Sequence, residues 1–338
     1  MSAAEPEKAP RIDVHSHFFP AITQKQSLTL GLVDAPWLRN DGDGTGYIME
    51  GDKQFRPVET PLWDPVERLA QMDSTGVTIQ VISATPVLFA YAAEAKNTAA
   101  WAAMINDMAI EMCSVDPVRL RTLCQVPLQD VDRACVEVSR AMATGHVGVH
   151  IGNHVDARNL DDPDLLRFLF HCADEAIPVF IHPWSTMAGE RMPKYMLAWL
   201  VGMPAETHLA ILSLILSGAF ERLPRHLKVC FAHGGGNFAA QIGRVDNAWR
   251  RRDIVRVDCP HPPSTYAERF SVDSAVFSDE ALRLLVSVMS EERILMGSDY
   301  PFPLGETDPG AVIDASRHLT SGGRSALLYG NAERFFGL

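Results

Sequence analysis

Basic residues are the scarcer charge in this chain: 30 lysines and arginines stand against 42 aspartates and glutamates, a formal net charge of -12, with no long basic tract. Such a surface repels a polyphosphate, which argues against a nucleic-acid partner; a local cationic pocket for a small anionic substrate remains compatible with it. Cysteine is sparse as well. Cys113, Cys124, Cys135, Cys172, Cys230 and Cys259 form no CxxC pair and no framework spacing, so reduced thiols in a cytoplasmic protein are expected. No uninterrupted apolar stretch reaches the length of a membrane span, which argues against a membrane partner. Residues 1–8 lack the charged-then-apolar pattern of a signal peptide and read as a frayed leader. Internal repeats and low-complexity tracts are missing too, as are the GxSxG elbow and the Walker lysine motif.

What the chain does have is a globular composition, 47% hydrophobic and 21% charged over 338 residues, enough to bury a substantial core. Short apolar runs recur at residues 11–14, 77–83, 120–126, 147–151, 177–181, 227–232, 270–276 and 293–296. Helix-length amphipathic segments such as 64–75, 97–114, 130–144 and 163–175 separate them, and Pro65 directly after Asp64 is a good helix start. Repeated βα units of this kind close naturally as an α/β (β/α)8 TIM barrel, here one domain over residues 1–338, with its active site at the C-terminal strand ends. Residues 21–62 are too long for a plain βα loop and carry a hairpin pattern at 47–58, so they read as an insertion over the barrel mouth. The long apolar helical stretch 187–218 is expected either to cover the site or to meet a partner subunit.

Chemistry gathers at the ends of the runs. His15 and His17 end the first run with one residue between them, and side chains two apart on a strand point the same way, so both imidazoles can converge on one ion. His182 ends the fifth run, His233 opens a Gly234-Gly235-Gly236 turn after the sixth, and Asp299 follows the eighth. Singly, each has an ordinary reading: a hydrogen-bonded pair of polar residues, a core histidine, a turn cap before Pro301. Jointly they ring one barrel mouth. Three histidines and a carboxylate with an open position suit Zn²⁺, although Fe, Mn and Co accept the same donors. His233 is then left as a free imidazole able to take and return a proton. The fourth run, 146–151, has no lysine to become a bridging carbamate, so one metal is expected, with His150 and His154 disfavoured as extra ligands. Gly234 to Ala239 also fits GxGxxA after a strand, but a dinucleotide site would leave the other histidines unexplained.

With these residues in place the chain resembles the amidohydrolase superfamily, in the 2-amino-3-carboxymuconate-6-semialdehyde decarboxylase family. The likeness runs over almost the whole chain and is carried by Arg11-Ile12-Asp13-Val14-His15-Ser16-His17, by residues 231–236, and most specifically by Gly297-Ser298-Asp299-Tyr300-Pro301-Phe302-Pro303-Leu304-Gly305-Glu306. The resemblance implies one zinc held by His15, His17, His182 and Asp299, with His233 governing the water beside it. It also implies two substrate arginines, Arg56 in the insertion and Arg244 delivered across a homodimer interface, a guanidinium fork being suited to a dicarboxylate. Trp184 either walls the pocket or belongs to the core. The implied reaction removes CO₂ without oxidation from an enamine semialdehyde of the kynurenine route or a related aromatic-degradation pathway. Two alternatives stay open: a hydrolase or lactonase of the same superfamily acting on a related acid, and a non-catalytic barrel that keeps a metal for stability.

Overall fold

The computed structural model describes residues 9–338; the leader segment 1–8 lies outside the described residues. Eight parallel strands appear where the apolar runs are: β1 Ile12–Phe18, β2 Ile79–Ala84, β3 Leu120–Cys124, β4 Gly148–Gly152, β5 Val179–His182, β6 Val229–Phe231, β7 Ser271–Asp273 and β8 Ile294–Leu295. Each pairs with its sequence neighbour in one sheet. Backbone hydrogen bonds join the ends of that sheet, Val14 N–H to the Met296 carbonyl (2.9 Å), Asp299 N–H to the His15 carbonyl (2.8 Å) and His17 N–H to the Tyr300 carbonyl (2.7 Å), so the barrel closes. The last three strands are shorter than the runs that announced them.

Helices α1 Pro65–Thr75, α2 Ala95–Cys113, α3 Val131–Ala143, α4 Pro163–Asp174, α5 Met203–Leu216, α6 Phe238–Arg251, α7 Asp279–Met289 and α8 Asn331–Phe336 follow in chain order. Their starts are written in the sequence. Asp64, Asp130, Asp162 and Ser278 each accept backbone N–H bonds at the first turn of the helix they precede, and Pro65 and Pro163 occupy first-turn positions where no N–H is needed. The barrel interior is apolar at its lower end: Ile12, Val14, Val81, Leu123, Phe180, Cys230 and Leu295 pack on Phe335 and Phe336 of α8, which plugs that end. Burying two phenylalanines there contributes on the order of 3–6 kcal/mol before entropy is counted. Polar residues are left to the other end.

Between β1 and α1 the insertion forms a three-stranded antiparallel sheet, Pro36–Asn40, Thr45–Glu50 and Lys53–Glu59. The hairpin expected at 47–58 is its second and third strands. Leu38, Ile48 and Val58 pack with Phe18, Phe19 and Leu62 in one cluster, which fixes this sheet against the first barrel strand. The stretch Ala198–Leu216 is long and apolar enough to cross a membrane by length and composition. Glu206 and His208 interrupt it, and Ala210, Ile211, Leu214 and Ile215 are buried in the main core.

Candidate metal centre and substrate pocket

β1 places His15 and His17 side by side, past a register shift between Asp13 and Ser16 that turns this end of the strand. Both are fully buried, and their Nε2 atoms face each other at 3.2 Å. On the far side of the ring, His15 Nδ1 donates to the Asp273 carboxylate at 2.5 Å, so its Nε2 lone pair points inward. His182, last residue of β5, donates from Nδ1 to the Pro183 carbonyl at 2.8 Å, which leaves Nε2 free in the same way. Asp299 brings Oδ1 to 3.1 Å from His17 Nε2 and 3.5 Å from His15 Nε2. One ligand atom from each of His15, His17, His182 and Asp299 lies within 4.8 Å of all the others. Inward lone pairs repel one another unless a cation sits among them. The donor set and its convergence therefore fit a divalent metal ion.

Electrostatics keep the set ready for metal. Burial pushes the His17 imidazole down to about 4, against the opposing pull of its hydrogen bond to Asp299. His182 is held well below the ordinary histidine value, by burial first and then by His233, His15 and His17. For Asp299, burial would raise the carboxyl, but His17, His15 and His233 outweigh it and hold it ionised. His15 differs. Burial lowers it, yet Asp273, Asp299 and Asp13 prevail and raise it, and the negative field that favours a proton on Nε2 favours a metal cation there equally. The neutral imidazoles of His17 and His182 and the ionised Asp299 carboxylate bind metal with little proton release.

His233 stands beside this cluster without joining its four ligand atoms. Its ring lies 4.8 Å from that of His182, its Nε2 is 3.9 Å from Asp299 Oδ2, and its Nδ1 has no partner among the described residues. Burial, then His15, lowers its pKa against Asp299 and Asp273, which leaves a neutral base at the pocket wall. His233 and Asp299 both hold left-handed backbone, with φ of 55° and 61°. Left-handed non-glycine residues cost energy and gather at functional sites. The glycines after His233 serve close packing: a Cβ on Gly234 would lie 2.4 Å from Val276, and one on Gly236 would lie 2.3 Å from the Pro204 carbonyl. Protein fills the space a pyrophosphate would need.

Asp273 is the residue that sequence reasoning missed. It sits inside the seventh apolar run, and an acid interrupting such a run was the available signal. Besides His15 it accepts from the backbone N–H groups of His233 (2.9 Å), Gly234 (2.8 Å) and Ala275 (3.1 Å), which ties the first, sixth and seventh strands at the site.

Above the cluster opens a cavity of about 400 Å³ lined by His17, His182, His233 and Asp299 at its floor and by Arg56, Trp184, Trp199 and Phe302 higher up. Arg56 comes from the insertion hairpin. Its guanidinium lies 4.7 Å from the centre of the Phe302 ring and 5.4 Å from that of Trp199. Burial lowers its pKa, and Asp299 is the charge that opposes this. It is a cation caged by aromatic rings. Arg244 is not brought into the pocket: it lies exposed on α6. His150 is buried 5.6 Å from the His182 ring and outside the four-atom set, while both nitrogens of His154 face backbone carbonyls. A larger cleft of about 640 Å³ lies alongside, between the insertion sheet and residues 300–307, and contains none of the metal-centre side chains.

The chain is similar to known proteins over nearly its whole length. The sequence profile of the amidohydrolase family covers residues 12–338. A 2-amino-3-carboxymuconate-6-semialdehyde decarboxylase of Dictyostelium discoideum is 39% identical, over 97% of this chain and 92% of its own length. One of Caenorhabditis elegans is 31% identical, over 96% and 94%. Among solved structures, 5-carboxyvanillate decarboxylase of Novosphingobium aromaticivorans, complexed with manganese and 4-hydroxy-3-methoxy-5-nitrobenzoic acid, superposes with a TM-score of 0.78 at 21% identity, covering 98% of this chain and 97% of that one.

Proposed function

The chain belongs to the amidohydrolase family, and from that premise we propose that it is a metal-dependent, non-oxidative decarboxylase converting 2-amino-3-carboxymuconate-6-semialdehyde to 2-aminomuconate-6-semialdehyde with release of CO₂. The observation that carries this reading is Arg56: a cation in an aromatic cage, facing a ring of neutral histidines and one ionised aspartate across a mostly apolar cavity.

His15, His17, His182 and Asp299 would hold one ion per subunit, and three nitrogens with one oxygen suit Zn²⁺. When bound, such an ion supplies Lewis acidity that brings the ionisation of water to about pH 7. The protein's own residues do the rest. Arg56 fixes one substrate carboxylate through a forked hydrogen bond, which sets the reacting carbon over the metal centre. Val87, Phe302 and Trp199 exclude water from the leaving carboxylate, where a charged group is destabilised relative to neutral CO₂. The C–C bond to that carboxylate breaks and its electron pair stays on carbon; His233 first takes a proton from a pocket water and then delivers it to that carbon, so that one water is consumed and hydroxide and CO₂ are left. His233 is fit for both halves of the transfer because it is neutral at rest and lines the cavity beside the four ligands.

The substrate carries two carboxylates, whereas among the described residues Arg56 is the one arginine or lysine lining the cavity. We assign the second cation to Arg244 of another copy in a homodimer; its exposure on α6 leaves it available to reach a neighbour. The cysteines are all unpaired, which fits a reducing cytoplasm. Freshly generated 2-amino-3-carboxymuconate-6-semialdehyde should lose its ultraviolet absorbance in step with equimolar CO₂ when the zinc-loaded protein is added. Loss of absorbance without CO₂ would mean hydration or hydrolysis and would overturn the assignment.

A further inference from the structure

Between the metal ligand His182 and helix α5, residues 183–202 run as a strap over the pocket and supply Trp184, Met196 and Trp199 to its wall. The strap has little core of its own. Tyr195 is 82% exposed and Leu200 56%. Ser185, Ala188, Tyr195 and Met196 all adopt left-handed backbone, a conformation non-glycine residues hold only when their surroundings impose it. The strap's course is therefore set by whatever grips it.

The grip is a buried polar relay. Trp184 donates its backbone N–H to Asn153 Oδ1 at 3.0 Å, and Asn153 Nδ2 donates in turn to Glu206 Oε2 at 3.1 Å. The other oxygen of Glu206 accepts the backbone N–H of Met187. Asn153 follows β4 and Glu206 stands in α5, both nearly fully buried, and no cation pairs with Glu206 among the described residues. A buried carboxylate whose acceptors are spent on a neutral amide and a strap N–H is costly unless those bonds hold, so the fold retains the pair for where it puts the strap. His154 Nε2 adds a bond to the Ser185 carbonyl at 3.0 Å.

We propose that Asn153 and Glu206 are positioning residues for substrate: their relay holds the strap at the height where Trp184 and Trp199 close over the carboxylate bound at Arg56. This rests on the decarboxylase reading for what the pocket binds, but not for the relay itself. Neither residue touches substrate, so their loss weakens binding more than it slows the chemical step.

Polarity exchange tests it. Asn153→Asp sets two carboxylates against each other, and Glu206→Gln leaves one of two N–H donors facing an amide nitrogen. In the double variant every bond returns: the introduced glutamine donates to the introduced aspartate, which still accepts from Trp184, while the glutamine oxygen accepts from Met187. With zinc-loaded proteins, each single exchange should raise KM, and the Kd for isophthalate as a stable planar dicarboxylate, about tenfold with kcat changed less than about threefold. Hydrogen exchange at the Trp184 and Met187 amides should quicken in both and slow again in the double variant, with KM and Kd recovering. Unchanged KM and Kd in the single variants, or no recovery in the double, would overturn the proposal. If isophthalate binding and amide exchange follow this pattern but no CO₂ is formed, the relay stands and the decarboxylase reading is what fails.

Discussion

Replacing Asp273 by asparagine should uncouple the metal centre from the barrel. Two carboxylate oxygens now serve four donors: Oδ2 takes His15 Nδ1–H and the His233 N–H, and Oδ1 takes the N–H groups of Gly234 and Ala275. Asparagine has one acceptor oxygen: turned to Gly234 and Ala275 it orphans the His233 N–H, and turned to His15 and His233 it orphans the other two. Each orphaned donor costs about 1–3 kcal/mol, so Asp273→Asn should lose about 1–6 kcal/mol in urea unfolding. The second consequence is specific to the site. With the asparagine oxygen on Gly234 and Ala275, its NH₂ faces His15 and donates to Nδ1, so the proton of His15 moves to Nε2 and occupies the lone pair that points at His17 and Asp299; with the oxygen on His15 instead, the imidazole still loses the negative charge that supports it as a ligand. Loss of such a supporting group lowers metal affinity by about 10–100-fold, readable as metal retained against a competing chelator. A variant that holds its metal as the native protein does would refute the claim that the Asp273 carboxylate supports His15 as a ligand, whatever happened to stability.

Three further outcomes follow from the same structure. His233→Ala should keep near-native metal content while turnover falls by about 10²–10⁴-fold; if metal is lost as well, His233 is a ligand and its role here is wrong. Arg56→Ala and Arg244→Ala should each be inactive yet regain part of the activity when mixed, because one site in the mixed dimer then holds both arginines; no recovery would count against shared sites. His146 is pushed by burial down to about 4 from 6.5, with its hydrogen bond to the Ala141 carbonyl opposing. Its folded-state pKa is depressed, so its contribution is complete above pH 6.5 and is lost as pH falls toward 4, as the unfolded chain takes up a proton the fold refuses. That displacement is worth about 3 kcal/mol, and His146→Leu should flatten the acid limb of the stability profile by about this amount; an unchanged slope would contradict it.

The barrel was legible because fully buried parallel strands must be apolar, and runs such as 177–181 and 147–151 stand out against their amphipathic neighbours. His15, His17, His182 and Asp299 were legible for the converse reason: each is a polar residue placed where an apolar run stops. Asp273 was not, since it lies within its run and its role comes from partners 258 and 40 residues away in sequence. The first strand of the insertion sheet, Pro36–Asn40, also escaped, because proline belongs only at a strand's edge or start and masks the pattern. Nothing in the residue types of His233 and Asp299 announced their left-handed backbone. Arg56 could be proposed as a substrate residue only through family resemblance, because nothing in its local sequence announces the tertiary cage of Phe302 and Trp199 around it. The Asn153–Glu206 relay joins two ordinary polar residues on separate elements, and only the fold brings them together.

The measurement that bears most directly on the central claim is the mass of the product formed in D₂O enriched in oxygen-18. Decarboxylation predicts a product lighter by CO₂, carrying one carbon-bound deuterium where the carboxylate left and no oxygen-18 beyond what exchanges without enzyme. A product that keeps all its carbon and gains oxygen-18 only in the presence of the protein would show water added at a carbonyl, and would contradict the account.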